Sequence, residues 1–284
     1  MKKIAVLDIQ GGFGNQIFQF AFAFFLKSKG YKIFLNYEYF QLENSRSLVF
    51  KDVDFNFQKV TKLQIFLFKL LNKLSLSNKI PGVIKKYLSK YFLKIKSAEN
   101  FKQIKKLPPY ILCRGYFQDL SYLDSFRPEF ENYLNKKGNK KNSENYHRVL
   151  LHIRRTDYLN MGEELKLDFY TKALSYCYEN ISDFRYDIFT DDIDWVKNQS
   201  IFKSASSIFH KKEVHSADKA SETLDTFLDM LNYDTYIVGN STYSLMAYEF
   251  SHADEKKIIA ARPWFRDRSF GNIYPKDSIF IENS

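Results

Sequence analysis

Ile4-Ala5-Val6-Leu7-Asp8-Ile9 is an apolar run broken only by Asp8, the pattern of a strand buried on both faces. Gly11 to Gln16 reads as a loop. From Ile17 to Lys29 the apolar positions follow a helical period, and Gly30 stops it. Tyr31 to Tyr37 reads as a second strand. Strand, glycine loop, helix and strand make one βαβ unit, the element of a parallel α/β sheet. Tyr110 to Gln118 is predicted as a strand with its loop. After a polar, Lys- and Asn-rich stretch at 135–147, the alternation restarts. Val149–Ile153, Tyr186–Thr190, Ser206–Phe209, Tyr236–Val238 and Lys257–Ala260 are predicted strands. Asp168–Asn180 (opened by an Asp cap), a short helix through Lys197, Ala220–Asn232 and Tyr243–His252 are predicted helices between them. Both halves alternate strand and helix. The expectation is an α/β chain of two Rossmann-like domains facing a cleft, 1–145 and 146–284, with the polar stretch as linker.

Residues 62–106 break this pattern. Twelve lysines, at 62, 69, 73, 79, 85, 86, 90, 94, 96, 102, 105 and 106, stand against one acid, Glu99, and apolar residues interleave with them at helical spacing. Two or three amphipathic helices broken at Pro81-Gly82 are predicted. Three readings fit: a solvated face over an ordinary core, adsorption to anionic lipid, or nucleic-acid binding.

Composition narrows the classes. With 45% apolar, 27% charged and 18% aromatic residues among 284, the chain is globular and able to build a large core. A net charge of +10 points to anionic partners. Cys113 and Cys177 match no zinc spacing and read as buried free thiols of a reducing cytosol. Asp8 and Gln10 interrupt the start before a signal-peptide core can form, and no apolar run reaches membrane-spanning length. A cytoplasmic protein is expected, with contact at the inner membrane face as one reading of the Lys-rich stretch.

Four clusters sit at the ends of predicted strands, where open α/β sheets bind ligands. Gly11-Gly12-Phe13-Gly14-Asn15-Gln16 lets backbone N–H groups approach a phosphate or sugar at a helix N-terminus. It is neither a dinucleotide fingerprint, since Ile17 takes the third glycine position, nor a P-loop. His152-Ile153-Arg154-Arg155-Thr156-Asp157-Tyr158 offers a guanidinium fork for phosphate oxygens. Alternation places His152, Arg154 and Thr156 on one side and Arg155 and Asp157, a candidate ion pair, on the other. Phe189-Thr190-Asp191-Asp192-Ile193-Asp194 suits a divalent cation, a guanine base or a helix cap. Gly239-Asn240-Ser241-Thr242-Tyr243-Ser244 suits a phosphate or a plain cap.

Together these motifs resemble the metal-independent fucosyltransferases carrying His-x-Arg-Arg-x-Asp. In order and spacing they resemble most the bacterial α-1,2-fucosyltransferases of glycosyltransferase family 11, over about residues 4 to 250. The resemblance implies a fold of the GT-B type, with an acceptor-side domain at 1–145 carrying the Lys-rich insertion and a GDP-sugar-binding domain at 146–284. It implies inverting transfer of L-fucose from GDP-β-L-fucose to the 2-hydroxyl of a terminal galactose, in surface polysaccharide or O-antigen synthesis, without a metal or other cofactor. The acceptor would be a galactose-terminated oligosaccharide, lipid-linked in one version. Arg154 and Asn15 would be catalytic. Gly12, Gly14, Asn15, Gln16, His152, Arg154, Asp191, Ser241 and Thr242 would bind the donor, and Arg155 and Asp157 would support the loop. Where relatives carry Ser-Trp-Trp, this chain reads Ser244-Leu245-Met246. The general base is left open, with Asp8 and Asp119 as candidates flanking predicted loops. The alternatives are a related GDP-sugar transferase with another acceptor linkage, or, from other classes, a basic nucleic-acid-binding protein or a nicotinamide-dependent oxidoreductase.

Overall fold

The computed structural model describes residues 2–42, 46–77, 81–138, 145–210, 219–266 and 273–283. Residues 139–144 of the expected linker, and Lys79, lie outside the described residues. The chain divides into two compact units, Met1–Tyr133 and Leu134–Ser284. The division falls inside the helix Arg127–Lys136, N-terminal to the expected boundary at 145.

The first unit carries strands β1 (Lys3–Asp8), β2 (Tyr31–Asn36), β3 (Gln58–Lys59), β4 (Phe92–Ile95) and β5 (Tyr110–Arg114). They form one sheet in the order β3-β2-β1-β5-β4, parallel at every pairing. The helix Phe13–Ser28 returns from β1 to β2. It is apolar on nearly all sides, and its Phe, Ala and Ile side chains from Phe13 to Phe24, with Leu26, are buried, as a helix at the centre of a core must be. The chain's phenylalanines concentrate here. Phe20 and Phe24 meet Phe55 and Phe126, Phe20 also meets Phe50, and Phe22 stacks on Phe117 at 4.1 Å between ring centres.

The second unit carries β6 (His147–Ile153), β7 (Phe184–Thr190), β8 (Ser207–His210), β9 (Thr235–Val238), β10 (Lys257–Arg262) and β11 (Ile279–Glu282). The order is β11-β10-β9-β6-β7-β8, again parallel throughout. Its core gathers Val149, Leu151 and Ile153 of β6, Ile188 of β7 and Ile237 of β9. The helix Leu167–Asn180 adds Phe169, Tyr170, Ala173 and Leu174. The switch in strand order between β6 and β9 is where a doubly wound sheet opens a crevice for ligands.

Four expectations are corrected. The glycine segment is not wholly a loop, because the helix begins at Phe13 and Gly14, Asn15 and Gln16 form its first turn. Within the Lys-rich stretch, Phe92–Ile95 is a strand, held by β5 on its flank rather than by its own propensity. The helix at 167–180 is preceded by Lys166 without a side-chain cap, and Asp168 sits in the first turn, paired with Lys172. Strand alternation ends at Ile153. Arg155 already opens the helix Thr156–Met161, so Arg154 and Arg155 do not follow a period of two.

Both cysteines are buried and free, and burial pushes their thiols up, that of Cys177 to about 12, so neither is a nucleophile at neutral pH. Among the described residues no helix is long and apolar enough to cross a membrane.

Candidate functional site

Because β9, β6 and β7 are parallel neighbours, their C-terminal ends bring three of the four sequence clusters onto one edge of the second unit. Arg154 follows β6. Its Nε and one terminal nitrogen donate to the two carboxylate oxygens of Asp157, at 2.9 and 2.7 Å, and Asp191 lies 3.4 Å away. Burial works against the guanidinium charge, but Asp157 and Asp191 outweigh it and raise its pKa above the ordinary arginine value. The fork is therefore a permanent cation, fixed in orientation.

The expected pairing of Arg155 with Asp157 gives way to a different one. Arg155 pairs with Asp192 at 3.1 Å and lies over the Trp195 ring at 4.0 Å. Asp157 is the anchor of Arg154. The reason is the helix at Thr156, which turns Arg155 toward the start of the helix Ile193–Lys197 instead of along the strand direction.

Asp191, expected to hold guanosine, accepts the Arg155 backbone N–H at 2.8 Å and the Thr156 hydroxyl at 2.7 Å. Asp192 caps the helix Ile193–Lys197 through the Trp195 N–H. These acids thus tie β7 to β6. Among the described residues no group of three or more His, Cys, Asp or Glu is arranged to hold a metal.

After β9, Ser241 is the N-terminal flank of the helix Thr242–Glu249, and its own side chain does not cap it. His152 is nearly buried, with Nδ1 2.9 Å from the Ser244 hydroxyl. Leu245 and Met246, which replace the aromatic pair of the resembled family, are completely buried, so they pack the helix against the core. The loop before this helix is held from several sides. Tyr158 donates to the Asn240 carbonyl, Asn240 to the Glu163 carbonyl, and Tyr274 to the Gly239 carbonyl, at 2.7, 2.8 and 2.8 Å. Arg266 N–H donates to the Glu163 carboxylate. Tyr158 closes the arginine motif. Glu163, Arg266 and Tyr274 were not singled out in the sequence and carry no local signal. The edge thus places a fixed guanidinium over Tyr158, which holds the loop before a helix N-terminus, an arrangement of positive potential that suits an anionic group.

The fourth cluster belongs to the first unit. Gly12 precedes the helix Phe13–Ser28, with no acid in its first turn. Gly11 has φ +80°, and a Cβ there would press on the Tyr116 ring, so glycine is required. Asn15 accepts from Gln118 at 2.8 Å. Gln16, expected to bind the donor, is fully buried. Its amide donates to the Gly11 and Ser47 carbonyls and accepts from Val49 N–H, stitching the glycine turn to residues 47–49. Gly14 is likewise buried in the first turn.

Both base candidates are engaged. Asp8 accepts from Arg114 Nε at 2.6 Å and from Asn36 at 2.8 Å. Asp119 accepts from Ser121 and pairs with Lys102. Burial pushes its carboxyl up, but these partners win and hold it below the usual aspartate value, a poor proton acceptor.

No protein-family model matches the chain. It is 28% identical to the O-antigen biosynthesis glycosyltransferase WbnK of Escherichia coli, over 90% of this chain and 93% of that one. It is also 28% identical to an α-1,2-colitosyltransferase of Escherichia coli, over 45% of this chain and 44% of that one. Among solved structures it resembles the fucosyltransferase NodZ from Bradyrhizobium, with a TM-score of 0.53 at 11% identity over 88% of this chain and 93% of that one. A second NodZ structure, an α-1,6-fucosyltransferase co-crystallised with GDP, gives a TM-score of 0.51 at 13% identity, with the same coverage of both chains. Two parallel-sheet units with these neighbours have the α/β fold of the GT-B type, and the chain is related to glycosyltransferases of O-antigen biosynthesis.

Proposed function

We propose that the protein is an inverting galactoside α-1,2-fucosyltransferase, moving L-fucose from GDP-β-L-fucose to the 2-hydroxyl of a terminal galactose in an O-antigen oligosaccharide. The observation that carries this reading is Arg154, locked by Asp157 and lying over Tyr158, which holds the loop before the helix Thr242–Glu249. That pairing suits the diphosphate of a nucleotide sugar. Arg154 meets the β-phosphate as its bond to the sugar breaks, while Ser241, Thr242 and the backbone N–H groups of the helix start take other oxygens. His152 and Asp191 line the nucleoside side. Within the first unit, Asn15, oriented by Gln118, and the helix start after Gly12 are the candidates for acceptor binding. Fixed cationic donors aimed at departing charge lower the barrier without reorganising during the reaction.

The match to an α-1,2-colitosyltransferase favours a second reading, in which the same site moves colitose instead. Incubation with GDP-fucose and a panel of galactosides, followed by linkage analysis, tests the first reading directly. An α-1,2-fucosylated product is expected. No transfer from GDP-fucose, with transfer from GDP-colitose, selects the second.

Turnover is expected to persist in excess EDTA. Arg154 and the helix N-terminus supply the positive potential that a cation would otherwise bring. The carboxylates of Asp191 and Asp192 are spent on Arg155, Thr156 and Trp195. Complete loss of activity, restored by Mn²⁺ or Mg²⁺, sinks the metal-independent mechanism.

A further inference from the structure

The helices Lys62–Leu76 and Gly82–Tyr91 serve the first unit with one face only. On the first helix Phe68 is buried and Leu71 packs with it against the cluster of Val6, Phe34, Phe92 and Leu112. At the helical angle per residue, Leu63, Phe66, Leu67 and Leu70 fall within an arc of roughly 100° on the side away from Phe68. They are 67%, 61%, 46% and 40% exposed. The second helix buries none of its side chains, and Val83, Ile84 and Tyr87 are 81%, 49% and 62% exposed. Large apolar side chains left in water at this density mark an interaction surface.

Lysines border both stripes. By the same projection Lys62, Lys69 and Lys73 line one flank of the first, and Lys86 and Lys90 lie beside Val83 and Tyr87 on the second. Lys69 pairs with Glu38 from outside the stretch, and within 62–106 Glu99 is the single acid against twelve lysines. The two ring-bearing side chains Tyr87 and Tyr91 sit 5.1 Å apart between centroids, with Lys90 over the Tyr91 ring.

We propose that the exposed sides of these two helices dock on an anionic lipid surface, with Leu63, Phe66, Leu67, Leu70, Val83 and Tyr87 entering the headgroup–acyl boundary and the lysines lying among the headgroups. Both halves of the surface are needed to choose this occupant. Apolar side chains ringed by lysine match the interfacial helix pattern, where buried area and attraction to anionic lipid act together. A second copy of the chain would bring lysine against lysine across a self-complementary contact. A nucleic acid would use the charge and leave the apolar stripe in water. The proposal is independent of the transferred sugar.

Vesicle co-sedimentation of the full chain tests it. Wild type is expected to sediment with vesicles of phosphatidylglycerol and phosphatidylcholine at low salt, to be released by high salt, and to stay largely in the supernatant with phosphatidylcholine alone. The double variant Lys86→Glu/Lys90→Glu should lose binding roughly tenfold or more. Phe66→Ser/Leu67→Ser should lose it to a similar degree while its thermal unfolding stays unchanged, because both side chains are already exposed. Both variants should keep wild-type transfer to a soluble galactoside. Wild type remaining in the supernatant with phosphatidylglycerol vesicles at low salt overturns the proposal. So does binding undiminished by Phe66→Ser/Leu67→Ser. A wild-type dimer that this variant dissociates, without vesicle binding, assigns the face to self-association instead.

Discussion

Arg154→Lys is expected to lower kcat for sugar transfer by about 10²–10³ while the protein stays folded. The substitution keeps the charge and removes the fork. Arginine has five N–H donors in a rigid plane. Two of them hold Asp157, at 2.9 and 2.7 Å, which fixes the plane and leaves the group able to meet a phosphate oxygen at the same time. A lysine ammonium is a point donor on a flexible stem. Between Asp157 and Asp191 it would settle on carboxylate oxygens, with the phosphate left to compete for the same small head. The loss should therefore appear in kcat more than in KM, since the affected interaction is strongest when the diphosphate carries its full departing charge. Steady-state kinetics with the donor varied, together with thermal unfolding of the variant, are the measurements. Retention of most of kcat removes Arg154 from the phosphate role.

Gly115→Ala is expected to be the most destabilising single methyl addition in the first unit, costing about 3 kcal/mol or more and lowering its unfolding midpoint by roughly 10 °C. Gly115 lies just past β5, and Lys96 just past β4. A Cβ on Gly115 would overlap the carbonyl oxygen of Lys96 and crowd its carbonyl carbon. The obstacle is backbone, not the movable tip of a side chain, so relief requires β4 and β5 to part at their ends or the loop to shift. That loop carries Tyr116 against Gly11 and Gln118 to Asn15. A variant that survives should also transfer sugar more slowly, because its Asn15 loses its orienting partner. Scanning calorimetry of the full chain and an activity assay at low temperature separate the two effects. An unfolding midpoint within a degree or two of wild type would show that the two strand ends tolerate separation.

Most elements could be read from the chain because their burial is local and periodic. The apolar run at β1, the helical period after Gly14 and the alternating halves need only hydrophobic pattern and glycine chemistry to be recognised. The strand β4 escaped because its four residues lie among lysines at helical spacing, and only the hydrogen bonds offered by β5 make it a strand. β11 escaped for the same reason, since it is held beside β10 at the far edge of the second sheet.

The candidate site divides in the same way. Residue types at strand ends were legible in the sequence: the arginine pair after β6, the acids after β7, the small hydroxyl residues after β9. Their partners were not. Which arginine takes Asp157 depended on where β6 stops and a helix starts. That Asp191 joins two strand ends, that Gln16 is a buried stitch, and that Tyr274 and Arg266 brace loops more than thirty residues away are contacts between distant segments. The same holds for the Lys-rich helices. Their composition is visible along the chain, but only packing shows that Phe68 faces the core while Phe66 and Leu67 face water. Local periodicity and side-chain chemistry are properties of neighbouring residues, so the sequence by itself determined the parallel α/β alternation and the chemical inventory at the strand ends. Register, strand order and hydrogen-bond partners depend on which distant surfaces exclude water together, so the tertiary structure alone decided which of those groups stand side by side.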